Sequence, residues 1–191
     1  MKEILRATCL VLVLLVDQAC QRATETQHQH DAGNTVKADT IKKSIPKEIH
    51  ASVSGAHFTI RYHAPAIRGR TIWGGLVPYG EVWVTGAHSA TTVEFDRDIM
   101  LNDQRIVAGK YALFTIPDTT TWTVIINSNW DQHLADEYDS KDDIIRAQVT
   151  PSYADKAQER LTYTIADKGN SEGVIGISWE KIRVALPFRV Q

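Results

Sequence analysis

An all-β fold is predicted, an antiparallel β-sandwich or jelly roll of about nine or ten short strands, on three features of the chain. From residue 48 onward, apolar residues alternate with polar ones at a period of two, and the spacing of amphipathic helices is nearly absent. Turn-forming residues punctuate the alternation at short intervals. No cysteine follows Cys20, so the folded part has no disulfide and depends on a hydrophobic core. A domain of about 150 residues buries enough surface for that. A closed barrel with a ligand cavity is the alternative architecture, and at most a short helix is expected.

Taken in order, Ile49, Ala51 and Val53 alternate with polar partners, and Phe58, Ile60 and Tyr62 repeat the pattern. Residues 82–85 and 91–95 are short strand candidates. Ile99 to Leu101 and Arg105 to Val107 flank Asn102-Asp103, a turn-forming pair that predicts a hairpin. Residues 110–116 and 122–127 form the clearest hairpin, with Trp122, Val124 and Ile126 on one face. Residues 129–138 break the alternation and predict a helical turn or two. Strands resume at residues 144–149 and at Leu161, Tyr163 and Ile165. Two runs, 174–179 and 182–190, make a final pair, with Pro187 predicting an edge or strand end because proline cannot donate to a ladder.

The N-terminal twenty residues carry Lys2 and Arg6, an apolar run over residues 7–16, and Ala19-Cys20. That run is too short to span a bilayer but has the length of a signal-peptide core. The pattern is similar to a bacterial lipoprotein signal, with Cys20 as the lipidated residue, although Asp17 stands where such signals carry an apolar side chain. Ordinary cleavage after Ala19 is the alternative. Residues 21–47 are polar, lack periodic apolar positions and predict a disordered tether. The expected organisation is thus a signal over 1–20, a tether over 21–47 and one β domain over 48–191. The expected location is the periplasm or outer cell envelope, with the membrane as partner through the lipid anchor. Net charge is −2 with both signs interspersed, which gives no footprint for nucleic acid.

Between the strands lies a long stretch rich in aromatic residues and glycine, residues 62–92. From Ala64 to Thr92 its only charged side chains are Arg68, Arg70 and Glu81. A charge drawn among rings needs a partner, so Glu81 is expected to pair with Arg68 or Arg70 and to hold the stretch against the sandwich. In that case Trp73, Tyr79 and Trp83 fill core space. The competing expectation is a concave pocket in which Arg68, Arg70, Trp73, Tyr79, Glu81 and His88 bind a small polar ligand.

GRTIWGGLVPYGEVWVTGAHSATT, then AGKYALFTIP, WTVIIN and SWEKIRVALPF, resemble the bacterial family named domain of unknown function 2911. The likeness runs from about Ile45 to Phe188. It implies an exported, mostly β domain, often lipid-anchored, and supplies no catalytic residues. Three positions depart from the family pattern. Val84 stands in place of arginine, His88 in place of asparagine, and His63-Ala64 in place of a Ser-Arg pair.

Catalytic signatures are lacking. There is no G-x-S-x-G elbow, no H-E-x-x-H and no P-loop. His57 and His63 share a strand face but lie about 20 Å apart if extended, too far to share a metal. No metal site, cofactor or catalytic residue is assigned. The sequence is read as a non-catalytic envelope module for a small polar ligand, glycan or protein partner. A structural or assembly component without its own ligand and an envelope hydrolase or isomerase of unrecognised type are the alternatives.

Overall fold

The computed structural model describes residues 44–191, and the signal and lipidation expectations at residues 1–20 lie outside them, as does the tether up to residue 43. Ten strands are described: β1 (Ser44–Val53), β2 (Ala56–Pro65), β3 (Thr92–Phe95), β4 (Ile99–Leu101), β5 (Gln104–Ile106), β6 (Gly109–Ile116), β7 (Trp122–Asn127), β8 (Asp143–Val149), β9 (Ser152–Gly169) and β10 (Glu172–Val190). They form two antiparallel sheets, β1-β2-β3-β6-β7-β8 and β5-β4-β10-β9. The fold is the expected all-β one.

Alternation decides the core. Phe58, Ile60 and Tyr62 of β2 and Trp122, Val124 and Ile126 of β7 turn inward to meet Leu161, Ile175, Trp179 and Phe188 of the other sheet. Each fully buried side chain of this size contributes about 1.5–3 kcal/mol. Phe58 sits 4.8 Å from Phe188 and 5.7 Å from Phe95, ring centre to ring centre. The alternate residues of β6 and β7, Ala112, Phe114 and Ile125, form a smaller cluster on the outer face with Val84 and Ala90. That face is therefore covered as well, by loops rather than by a sheet.

Two-residue turns set several registers. Ser54 and Gly55 join β1 to β2 with φ of 48° and 79°, the mirror-image turn whose twist matches its flanking strands. Asn102-Asp103 does the same between β4 and β5, as its composition predicted.

Four boundaries differ from the sequence reading. β1 starts at Ser44, and Ser44, Ile45, Pro46 and Lys47 pair with Pro65, Ala64, His63 and Tyr62. This part of the expected tether is strand because its ladder compensates for the missing apolar alternation. β9 starts at Ser152, far ahead of Leu161, for the same reason: its polar first half is held by β10. Residues 82–85 make only a bridge, Trp83 to Thr115. Residues 129–138 are turns, and the only helical element among the described residues is a 3-10 turn, Ser140–Asp142.

β10 is one continuous strand by its backbone, yet it doubles back. Residues fifteen apart in an extended strand are separated by about 50 Å. In this molecule Val190 N donates to Ser171 O at 2.8 Å, and Phe188 packs on Gly173. The reversal falls at Glu180, whose φ is 50° and where the register against β9 shifts. Core positions accordingly change parity from Ile175, Ile177 and Trp179 to Ile182, Val184 and Leu186. The runs 174–179 and 182–190 thus lie side by side, as expected. Only Arg189 and Val190 pair with β4, so Pro187 lies beyond that short ladder.

Candidate functional site

The chain between β2 and β3 is anchored at intervals. Ala66 bridges to Arg160, Ile67 N donates to Glu159 O at 2.9 Å, and Arg68 N donates to Glu159 Oε1 at 3.0 Å. Leu76 N and Val77 N return to Thr71 O and Ile72 O, closing a tight loop. A side chain at Gly75 would start 2.6 Å from Thr71 O, so this loop needs glycine there. Farther on, Gly80 N donates to Pro117 O, and Trp83 and Thr115 exchange both backbone bonds.

Two rings of this segment, Trp73 and Trp83, pack against the core, whereas Tyr79, expected there as well, is 42% exposed. Trp73 lies 4.9 Å from Trp122 of β7, 5.8 Å from Trp179 of β10 and 5.8 Å from Trp83, all edge-on. It therefore joins the two sheets through one indole pair each. Its Nε1 is buried without a hydrogen-bond partner. Behind Trp83, buried Thr85 is fixed by Thr115 Oγ1 at 2.9 Å and by Tyr163 Oη, which donates to Thr85 O at 2.8 Å. Burial raises the Tyr163 phenol well above its ordinary value.

The expected ion pair is not formed. Glu81 is exposed and makes no hydrogen bond or ion pair among the described residues. Arg70 instead donates from Nη2 to Ala66 O at 2.5 Å and from Nε to Ile67 O at 3.1 Å. The physical reason is that Glu81 lies at the surface, where water solvates it without a partner, while Arg70 finds two carbonyls of its own loop. Glu81→Ala should therefore change stability by no more than about 0.5 kcal/mol in a thermal melt.

What the segment does build is a pocket of about 390 Å³. Trp83, Trp179, Val77, Leu76 and Leu134 supply apolar walls, and Arg70, His88 and Ser44 supply polar groups. Leu76 and Leu134 are 46% and 36% exposed, so its mouth is apolar too. His88 has φ of 64°, a left-handed backbone in which asparagine is enriched and histidine is tolerated. Its Nε2 is hydrogen-bonded to Ser44 Oγ at 2.8 Å, and its ring meets His63 edge-on at 5.1 Å. Burial, then proximity to His88, lowers His63 from its ordinary value, which keeps it neutral at neutral pH.

A family model described as protein of unknown function (DUF2911) matches residues 44–188, every strand up to Phe188 of β10. The chain belongs to the DUF2911 family. Comparisons with curated proteins and with solved structures gave no match.

Of the residues singled out in sequence, the DUF2911 domain brings Arg70 and His88 to the pocket. Arg68, Trp73, Tyr79 and Glu81 do not line it; Trp73 is partly buried against the core, and Tyr79 is 42% exposed elsewhere. Ser44, Leu134 and Trp179 were missed, because they arrive from β1, residues 129–138 and β10. The only sequence signal for Leu134 was the broken alternation around it. Chemically, Ser44 and His88 are half of a nucleophile pair. The far ring nitrogen, Nδ1 of His88, has no hydrogen-bond partner among the described residues, so the third member of a nucleophile–base–carboxylate triad is not found among them. Among the described residues no three His, Cys, Asp or Glu side chains gather as a metal site.

Proposed function

We infer that the domain is a non-catalytic binding module whose loop pocket holds a small amphipathic organic anion, such as a carboxylate with an aromatic or short aliphatic body. One observation carries this reading: an apolar pocket with a guanidinium in its lining and no carboxylate there among the described residues. Apolar walls with a few convergent polar groups are the usual build of a small-molecule site, and the volume lies in the usual range. Arg70 is held by two carbonyls, so its planar fork is fixed before a ligand arrives, and its Nη1 makes no hydrogen bond among the described residues. His88 and Ser44 add a second polar point.

Trp83 and Trp179 report occupancy directly. Titration with 2-naphthoate or octanoate should quench indole fluorescence saturably, whereas 2-naphthalenemethanol should bind more weakly. Arg70→Gln should weaken carboxylate binding about tenfold, some 1.4 kcal/mol, and leave the alcohol unchanged. A melt of the variant checks that the loop, which Arg70 also braces, stays folded. Carboxylate and alcohol binding alike in the wild type, or neither binding, would overturn the reading.

We further infer that the domain works in the cell envelope on a lipid anchor at Cys20, supported by Lys2, Arg6, the apolar run and Ala19-Cys20. Cys20→Ser should move the protein from the membrane fraction to the soluble one. A variant that stays with membranes would remove the anchor.

A further inference from the structure

On the outer face of the six-stranded sheet a second groove, of about 380 Å³, runs between the β1–β2 hairpin and residues 130–132. It is separate from the loop pocket: His63 lines the groove, His88 lines the pocket, and their rings meet in the wall between. Its chemistry is also different. Trp130, 38% exposed, presents an indole to the groove, with Lys110 Nζ 3.5 Å from its ring centre. Asp131 and Glu48 line it alongside Lys110 and Arg61, so the charges are mixed. Arg61 is already paired, with Glu48 at 3.0 Å and Glu94 at 3.2 Å.

Gln132 is the anomaly. It is 6% exposed, lines the groove, and is locked by Ala90 N, which donates to its backbone oxygen at 2.9 Å. Its Nε2 donates to Asn129 O at 2.6 Å, which fixes the amide, because the flipped form would set two oxygens together. The amide oxygen Oε1 is then buried with no donor among the described residues. A buried acceptor left unpaired is costly, so a hydroxyl or other donor brought to this side of the groove would be favoured.

We propose that this groove is a saccharide subsite, in which a sugar ring lies against the Trp130 indole and a sugar hydroxyl donates to Gln132 Oε1. A sugar hydroxyl both donates and accepts, which suits a groove offering ammonium donors, carboxylate acceptors and an orphan amide oxygen together. The apolar C–H face of a pyranose suits an aromatic ring. A free anion gains little from Arg61, which is neutralised by Glu48 and Glu94, and it would meet Asp131 as well as Lys47 and Lys110.

The test is saturation-transfer NMR on the full domain with a panel of neutral hexoses and N-acetylhexosamines. At least one sugar should bind saturably below about 10 mM. Trp130→Ala, at a partly exposed loop position, should keep the melting midpoint and weaken that sugar at least about tenfold. Gln132→Met should weaken it too, while Arg70→Gln, in the other pocket, should leave it unchanged. That last variant separates failure here from failure of the carboxylate site. No sugar bound at that concentration, or unaltered binding by Trp130→Ala, would overturn the proposal, and a bound water as the sole partner of Oε1 in a sugar-soaked crystal would do so as well.

Discussion

Trp73→Ala is expected to destabilise the domain by about 3–5 kcal/mol, read as a fall in the urea midpoint with little change in slope. The indole touches Trp122 from one sheet and Trp179 from the other, and Trp83 closes the group from the loop's own far side. Removing it leaves a cavity where three large rings met, and the sheets cannot both move to fill it. Trp73→Phe should cost well under half as much. It keeps most of the ring and deletes the buried Nε1, a donor without a partner whose desolvation penalty the wild type already carries. If Trp73→Ala lost less than about 1 kcal/mol, the segment between β2 and β3 would be an ornament on the sandwich and not part of its core.

The second large effect is expected at Gly173. A methyl group there would begin 2.3, 2.8 and 2.9 Å from three carbons of the Phe188 ring. Phe188 is 4% exposed and its ring lies against Phe58, so moving it away from residue 173 disturbs the core packing. Gly173→Ala should therefore cost about 1–3 kcal/mol or more through overpacking. Phe188→Leu alone should lose about 1 kcal/mol. The double variant should be less destabilised than the sum of the two, by at least about 0.5 kcal/mol, because leucine vacates the space that alanine needs. Additive losses would mean that the two runs of β10 do not pack as described.

Local chemistry made the β architecture legible where one face of a strand is buried. Phe58, Ile60 and Tyr62 announced β2, and Asn102-Asp103 announced the turn between β4 and β5. The first half of β9 was illegible because its exposed, polar residues are kept extended by a partner strand and not by burial. The same limit governed the site. Arg70 and His88 could be singled out as polar groups among rings, but Trp179 and Leu134 meet them only after the chain has folded. The Glu81 ion pair failed on the same ground, since composition gives the charges in a segment and not the side of it that faces water. Gln132 carried no signal, because an amide becomes informative only when its hydrogen bonds can be counted.

The pairing of β4 has a consequence for how the chain acquires its structure. Hairpins such as β1–β2 and β6–β7 join neighbours in sequence and can form within microseconds once their residues are available. β4 is different: Met100 pairs with Arg189, and Ile99 with Val190, roughly ninety residues away. The loop that this ladder closes is long, so its entropy cost is met after the local hairpins have formed, and the second sheet acquires its closing ladder late. Until that ladder forms, the second sheet is not locked. Truncation by the final two or three residues would remove that lock, leaving the hairpins but not the β4–β10 closure.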